Sequence, residues 1–207
     1  MLFFDPRVTL RPEPLTHNPF PALVAPRPIA WISSISAAGK TNLAPYSHFN
    51  IVAADPPMVM FAPSAKNGAG APKDTLRNVR EVPEFVINLV DWKQREAMNL
   101  TSKALDHGVS EFDIAGVEQA PSINVRPPRA AGSRAALECK VWQIIELPVS
   151  ATRRQCHIVI GEVVGIHIAL DVIVDGRVSA ERLEQIARLG YFDYSTVHET
   201  FQMERPD

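Results

Sequence analysis

Lys73, Asp74 and Thr75 are the residues of this chain most suited to binding chemistry, because they stand together where the sequence predicts the start of a helix. The first N–H groups of a helix have no partner within it, and the helix dipole favours an anion at that end. Lys73 adds a positive charge and Thr75 adds a hydroxyl group. The Asp74 carboxylate would repel an anion, so this residue would act through a helix cap or its own N–H group. The triplet predicts a site for the phosphate of a small molecule, and the alternative is an ordinary capped helix beside a solvated lysine.

Other residues that often perform chemistry lack the spacing of a known catalytic or metal site. The chain has six histidines and two cysteines, without an HxxxH, HExxH or CxxC pattern. No metal site is therefore predicted. The sequence also lacks the GxSxG elbow of serine hydrolases and the glycine spacing of a P-loop. Cys139 and Cys156 could pair, although two cysteines do not make a disulfide framework.

Strands are the elements that must position these residues. Apolar and β-branched residues cluster in six runs, which predict strands at Ile29–Ser36, Tyr46–Val52, Met58–Pro63, Glu84–Val90, Arg134–Leu147 and Cys156–Leu170. Residues 37–40 predict a hairpin turn in which Gly39 supplies a positive φ.

The fifth run has the alternating pattern of a strand with one buried face. Leu137, Cys139 and Val141 would face the core, and Glu138 and Lys140 would face solvent. The strands are not separated by regular helices, so the pattern favours an antiparallel barrel over a doubly wound sheet.

The first of three predicted helices contains the triplet. It begins at Asp74 or Thr75, buries Leu76 and Val79, and ends before Pro83.

Two further helices follow. One has Asp91 as its N-cap and runs to about Ala104, and the other is capped by Ser179 and ends at Gly190. The buried positions of this last helix would be Leu183, Ile186 and Ala187.

Length and composition predict one domain, with a proline-rich arm at residues 1–28 and the folded domain at 29–207. The net charge is −2 and the basic residues are scattered, which argues against a nucleic-acid surface. No apolar run approaches the roughly 20 residues of a membrane span, and the start lacks the basic region of a signal peptide. We therefore expect a cytoplasmic protein without a membrane segment.

Four motifs together resemble those of one known family. They are RPIAWIS at residues 27–33, NLAPYSHF at 42–49, DPP at 55–57 and KDT at 73–75. In this order they resemble the flavin reductase-like, FMN-binding split-barrel family, which includes the reductase components of two-component flavin monooxygenases. The resemblance extends from about residue 19 to residue 206. It implies a mainly β fold with short helices, a six- to seven-stranded antiparallel split β-barrel, and a homodimer that binds FMN.

The resemblance also implies which residues contact FMN. The phosphate would be held by Ser64, Lys73, Asp74 and Thr75. The flavin ring would lie against residues 42–47, with backbone contacts from Asn42 and Ala44 and side-chain contacts from Ser47 and Asn50. Side chains of the preceding strand would lie nearby, namely Ser33, Ser34 and Ile35. Without the resemblance, the backbone around Pro45, which is expected to be irregular, would be interpreted as a bulge or corner.

His157 is the candidate catalytic residue. Many members of the family have a Gly-Asp-His triplet beside the nicotinamide, and this chain has Gln155-Cys156-His157. The loss of the glycine and the acidic residue argues against efficient use of NADH, and the alternative is a structural histidine. Arg188 and Tyr191 are interpreted as core or interface residues, with the ligand pocket as the alternative.

The function implied by the resemblance is an FMN-dependent oxidoreductase. It would take electrons from NADH or NADPH and pass them to free flavin, oxygen, a ferric complex or a partner monooxygenase. One alternative is a non-enzymatic electron carrier or flavin-binding module. Another is a relative that binds a different phosphorylated ligand, such as pyridoxal phosphate.

Overall fold

A computed structural model describes residues 1–63, 73–103, 105, 109–149 and 155–206. Its helices are α1 Phe20–Leu23, α2 Asp74–Glu81, α3 Arg95–Leu100, α4 Glu111–Ala115 and α5 Ala180–Leu183, with a 3-10 turn at Leu170–Val172. Its strands are β1 Arg27–Pro28, β2 Ala30–Ile35, β3 Thr41–Tyr46, β4 Phe49–Ala54, β5 Pro57–Phe61, β6 Glu84–Leu89, β7 Gln119–Ala120, β8 Arg129–Ala130, β9 Ala135–Glu146, β10 His157–Ile168, β11 Ile173–Val174, β12 Arg177–Val178, β13 Ile186–Arg188 and β14 Tyr194–Thr196. None of the helices in these ranges is long and apolar enough to cross a membrane.

Seven strands form one antiparallel sheet in the order β3-β2-β6-β9-β10-β5-β4. The predicted run Tyr46–Val52 divides between the end of β3 and the start of β4, which corrects the strand count from six to seven. The structure also corrects the irregular backbone expected around Pro45, because Pro45 is a regular member of β3 opposite Trp31. Proline is tolerated there because β3 is an edge strand, and its missing N–H group is on the side that has no neighbouring strand to bond.

The sheet curls into a barrel around one apolar core. Tyr46 near one end of the sheet and Phe61 near the other lie 5.3 Å apart between ring centres, and Phe61 is 5.2 Å from Phe85. Leu76 and Val79 of α2 pack into the same core. Full burial of each large apolar side chain contributes about 1.5–3 kcal/mol. The mainly β, seven-stranded antiparallel fold with short helices is thereby confirmed.

Two local predictions near the triplet are confirmed. The turn at residues 37–40 joins β2 to β3, and Gly39 has φ +82°. Helix α2 ends at Glu81, followed by Val82 in an extended conformation before Pro83.

The other two helices are shorter than predicted. Helix α3 begins at Arg95, because the Asp91 carboxylate accepts from the N–H of Gln94 in a preceding turn, 3.0 Å away, and does not cap the helix. Ser179 does cap α5 through the N–H of Arg182. That helix ends at Leu183, since Glu184 adopts the left-handed conformation with φ 47°. The predicted helical residues after it form β13, which pairs with β1 and β14.

The sequence pattern assigns Glu138 to the correct face of β9 but is wrong about its exposure to solvent. Leu137, Cys139 and Val141 do face the barrel core, but Glu138 is fully buried on the other side of β9. Its carboxylate accepts from the His167 Nε2 at 2.5 Å. The backbone of residues 123 and 124 covers it and donates two further hydrogen bonds. The long segment between α4 and β9 therefore makes the second face of the sheet an interior one.

Candidate functional site

The start of α2 forms the first part of the candidate site. Lys73 is the N-cap residue of this eight-residue helix, and its side chain, which has no acceptor atom, forms no capping hydrogen bond. Its Nζ lies 5.3 Å from the centre of the Tyr46 ring. The Asp74 carboxylate lies 3.6 Å from the Arg77 guanidinium. An ammonium group thus stands at a helix N-terminus, an arrangement suited to holding an anion.

A buried hydrogen-bond network lies directly behind this helix start. Thr75 Oγ1 donates to Asn42 Oδ1 at 2.8 Å and accepts from the Tyr46 hydroxyl at 2.9 Å. Asn42 Oδ1 also accepts from Ser34 Oγ at 3.3 Å, and Ser34 Oγ accepts from Asn78 Nδ2 at 3.0 Å. All of these side chains are at most 5% exposed. Thr75 gives its one hydroxyl proton to Asn42, so it has none left to donate to a phosphate in this arrangement.

Glu111 of α4 completes the network from the outer side of β3. Its carboxylate accepts from Asn42 Nδ2 at 2.5 Å and from the N–H of Leu43 at 3.1 Å. Burial raises the pKa of Glu111 above its usual value; these hydrogen bonds offset part of that effect, and the Asp74 carboxylate adds to it. The network therefore links α4, β3 and α2.

The outer edge of β3 presents backbone groups away from the sheet. Successive residues of a strand direct their N–H and C=O groups to opposite sides, and the Leu43 N–H points outward because it donates to Glu111. The backbone groups of Asn42 and Ala44, which the resemblance suggested for the flavin ring, therefore face β2. Pro45 lies on the outward side, where its carbonyl oxygen is directed.

A cavity of about 670 Å³ lies at the end of β3. Pro45 and Ser47 form one side, and Arg27 of β1 and Arg188 of β13 form another. The Ser47 hydroxyl accepts from Arg27 Nε at 3.4 Å. The volume is typical of sites that hold a small molecule or a cofactor.

A smaller cavity of about 340 Å³ lies between α2 and the turn that joins β2 to β3. Asn42, Asp74 and Asn78 line it together with two cationic side chains, Lys40 and Arg77. The Asn78 Oδ1 atom is buried and has no hydrogen-bond partner within the described ranges. A buried acceptor of this kind is normally satisfied by a water or a ligand donor.

His157 contacts Arg80 of α2, which lies about 10 Å along the helix axis from Lys73. Its Nε2 accepts from the Arg80 guanidinium at 2.9 Å, and Glu146 lies 3.5 Å from both Arg80 and His157. The ring is only 5% exposed. The structure thus does not bring His157 to the helix start, and its catalytic role stays a prediction.

The remaining predicted residues occupy three kinds of position. Ser33 is buried on the face of β2 opposite Ser34, and its hydroxyl donates to the carbonyl oxygen of Pro128. Ile35 is half-buried at the end of β2, and Asn50 is exposed on β4, where its Oδ1 accepts from the N–H of the next residue. Ser64 lies outside the described residues.

The sequence analysis gave no side-chain role to three residues that the structure places at the site. Tyr46 lies within the NLAPYSHF motif, and Asn78 lies three residues after the KDT motif. Glu111 gives no signal, because it reaches β3 from about 70 residues further along the chain and only the fold brings it there.

Comparison with known proteins identifies the family. A family model described as "Flavin reductase like domain" matches residues 24–183. The chain belongs to this family. A structurally similar member is nitrilotriacetate monooxygenase component B from Bacillus cereus, with 33% identity, a TM-score of 0.88 and 98% coverage of both chains.

Two other relatives are similar over most of the chain. The Pseudomonas fluorescens 2-nitrobenzoate 2-nitroreductase NbaA is 32% identical, with a TM-score of 0.78 and coverage of 90% of this chain and 88% of its own. An uncharacterized protein from Halalkalibacterium halodurans is 39% identical over 183 residues, which are 88% of this chain and 87% of that one. The barrel described above is the split barrel of flavin reductase-like proteins, as the resemblance implied.

Proposed function

We propose that this flavin reductase-like protein is an FMN-dependent oxidoreductase that takes a hydride from NADH or NADPH. Its electrons then pass to free flavin or to a partner monooxygenase. The observation that best supports this is the cavity of about 670 Å³ at the end of β3, where Ser47 and Pro45 face two arginines. Two solved relatives above 30% identity are by name a monooxygenase component and a nitroreductase, which are both parts of oxidation–reduction systems.

The residues present fit FMN. Lys73 and the N–H groups that begin α2 suit its phosphate. Asn78 Oδ1 is an acceptor without a hydrogen-bond partner among the described residues, and the ribityl chain of a flavin has hydroxyl groups that donate. Bound FMN would supply the chemistry, since it accepts a hydride and returns two electrons to an acceptor. The protein's own part is to anchor the phosphate, orient the ring along β3 and admit the donor.

Anaerobic mixing of the FMN-loaded protein with NADH and with NADPH tests this proposal. We expect loss of the visible absorbance of the flavin within seconds of mixing with at least one donor, because hydride transfer to a positioned flavin needs no further catalytic group. Denatured protein with the same total FMN is the control for the slow reaction in solution. An unchanged spectrum with both donors would overturn the reductase proposal.

The second candidate function is a non-enzymatic FMN electron carrier. It is favoured by one observation, the burial of His157 in contact with Arg80 and Glu146. A carrier would show no bleaching with either nucleotide and would be reduced by a chemical or protein donor.

We also propose that the protein is a cytoplasmic homodimer. Ile51 and Val52 are 66% and 51% exposed on β4, an edge strand of the sheet, and such apolar patches commonly mark an interface. Light scattering should give twice the chain mass of 22.8 kDa. The double variant Ile51→Asp, Val52→Asp should give the single-chain mass, whereas Val178→Asp, at a residue 49% exposed on β12, should stay dimeric. A monomeric wild-type protein would contradict the proposal.

A further inference from the structure

Arg27 and Arg188 are direct neighbours in the β1–β13 pair, and both line the cavity at the end of β3. The acceptors that hold Arg27 in place among the described residues are all neutral. It donates to the Ser47 hydroxyl and to the backbone carbonyl oxygens of Pro21, Val24 and Leu189. Its position is therefore fixed while its charge is not neutralised.

Arg188 is likewise held by neutral acceptors. Its guanidinium donates to the Tyr194 hydroxyl and to the Tyr191 carbonyl oxygen, and it stacks 4.5 Å from the centre of the Tyr194 ring. Within the described part of the chain, neither arginine forms an ion pair with a carboxylate. None of the described residues that line this cavity is acidic.

Two adjacent, oriented and uncompensated guanidinium groups make a strong site for an anion. A guanidinium has five N–H groups. Arg188 uses two of them in the contacts above and can offer paired hydrogen bonds to phosphate oxygens, whereas Arg27 uses four and offers its charge and one N–H group. Burial and the charge of Arg188 together lower the pKa of Arg27, which agrees with two like charges held side by side. This site shares no lining residue with the start of α2, so it is separate from the proposed FMN phosphate site.

A second cavity of about 370 Å³ lies on the other side of Arg188. It shares Arg188, Phe192 and Tyr194 with the larger cavity. Trp92 forms another part of its wall, with Arg95 stacked 4.0 Å from the centre of the indole. Its one described acidic residue, Glu96, lies 3.4 Å from Arg95. Phe192 is 87% exposed, so an aromatic face is available to a ligand.

We infer that the two cavities form one groove for a nicotinamide dinucleotide, with its diphosphate on Arg188 and Arg27. The nicotinamide half would occupy the larger cavity beside Ser47, and the adenosine half would lie between Trp92 and Phe192. A dinucleotide is two ring systems joined by a diphosphate, which matches two partly aromatic cavities on either side of an arginine pair. This inference rests on the proposed function and assigns its electron donor a binding site.

Removal of the Arg188 charge tests the diphosphate contact. Arg188→Gln should raise the KM for NADH and NADPH about tenfold, as expected for loss of a charge-assisted hydrogen bond. The control is Arg177→Gln, which removes the same charge from an exposed hairpin and should leave KM unchanged. With 1-benzyl-1,4-dihydronicotinamide, a donor without phosphate, the KM of Arg188→Gln should change less than about twofold. An unchanged KM for NADH, or an equal loss with the phosphate-free donor, would overturn the inference.

Trp92→Ala tests the proposed contact with the adenosine half and leaves Arg27 and Arg188 unchanged. We expect a KM increase of about fivefold for NADH, since aromatic contact with a base contributes about 1–3 kcal/mol. The KM for reduced nicotinamide mononucleotide, which lacks the adenosine half, should not change. Equal effects on the two donors would contradict the assignment of this cavity.

Binding without turnover separates this inference from the proposed function. Calorimetric titration of the wild-type protein with ADP-ribose should give saturable binding that weakens with added salt and about tenfold in Arg188→Gln. If no nicotinamide donor bleaches the flavin while ADP-ribose binds in this way, the reductase proposal fails and the groove stands. If flavin is reduced but ADP-ribose does not bind, the groove is overturned and the reductase proposal stands.

Discussion

Replacement of Lys73 by alanine should raise the Kd for FMN roughly 10- to 100-fold and change the Kd for riboflavin less than about twofold. The two ligands differ only in the phosphate, which the ammonium group at the start of α2 is placed to hold. Loss of a hydrogen bond to a charged group costs about 1.5–3 kcal/mol, and each 1.4 kcal/mol is tenfold in Kd. Fluorescence titration of the apo-protein with FMN, FAD and riboflavin in parallel measures both values.

Two further variants make this measurement specific to the lysine. Lys73→Arg keeps the charge and should recover most of the FMN affinity, while Lys93→Ala removes a charge from an exposed position after β6 and should have no effect. The Lys73 ammonium also lies 5.3 Å from the Tyr46 ring, so thermal unfolding of each variant is needed to exclude a loss of stability as the cause. Equal weakening of FMN and riboflavin would contradict a phosphate anchor at Lys73.

Elements set by short-range chemistry were predictable from the sequence. The start of α2 follows from the KDT triplet, and its end from the restriction that Pro83 places on Val82. The tight turn at Gly39 requires a positive φ, which glycine adopts without strain. Each of these features depends on residues within a few positions of one another, so no knowledge of the fold is needed.

Elements set by long-range pairing were not predictable. Leu183, Ile186 and Ala187 have the spacing of one helix face, yet Ile186 and Ala187 belong to β13. Glu184 turns the chain after α5, and β1 from the other end of the sequence pairs with the residues that follow. Sheet pairing with a distant strand here outweighs a local helical pattern.

The candidate site divides in the same way. The triplet at the start of α2 was recognisable because a helix N-terminus is a local feature. The arginine pair was not, because Arg27 and Arg188 become neighbours only through β1 and β13. Their partners are carbonyl oxygens and the hydroxyl groups of a serine and a tyrosine, which leave no pattern in the sequence.

Replacement of Glu138 should have the largest effect on stability of the variants considered. The alternating sequence pattern predicted an exposed side chain at this position, and a segment distant in the sequence buries it. Glu138→Ala should lower the free energy of unfolding by about 3 kcal/mol at pH 7. The substitution removes the acceptor of His167 Nε2 and of the N–H groups of Ile123 and Asn124. The segment that covers β9 would thereby lose its attachment, and urea denaturation measures the difference.

The difference in unfolding free energy between wild type and Glu138→Ala should depend on pH, which tests whether it is electrostatic in origin. Burial alone would raise the pKa of Glu138, but the hydrogen bonds from His167, Ile123 and Asn124 outweigh it and hold the pKa below its ordinary value. A carboxyl group whose pKa is lower in the folded than in the unfolded protein stabilises the fold at every pH above its unfolded-state pKa, which is about 4.3 for glutamate. This stabilisation is lost as the pH falls through the pKa of the folded state. The gap in unfolding free energy between wild type and Glu138→Ala should therefore be full at pH 7 and narrow below about pH 4.

Glu162→Ala is the matched control for this experiment. Glu162 is an exposed glutamate of β10, on the strand adjacent to Glu138, so its loss should change the unfolding free energy by less than about 0.5 kcal/mol. Glu138→Gln keeps the side-chain volume and one acceptor oxygen but not the charge, and it should fall between wild type and Glu138→Ala. A gap for Glu138→Ala that stays constant from pH 7 to pH 3 would mean that the side chain stabilises by packing alone. In that case the charge of Glu138 would contribute nothing to holding residues 123 and 124 on the sheet.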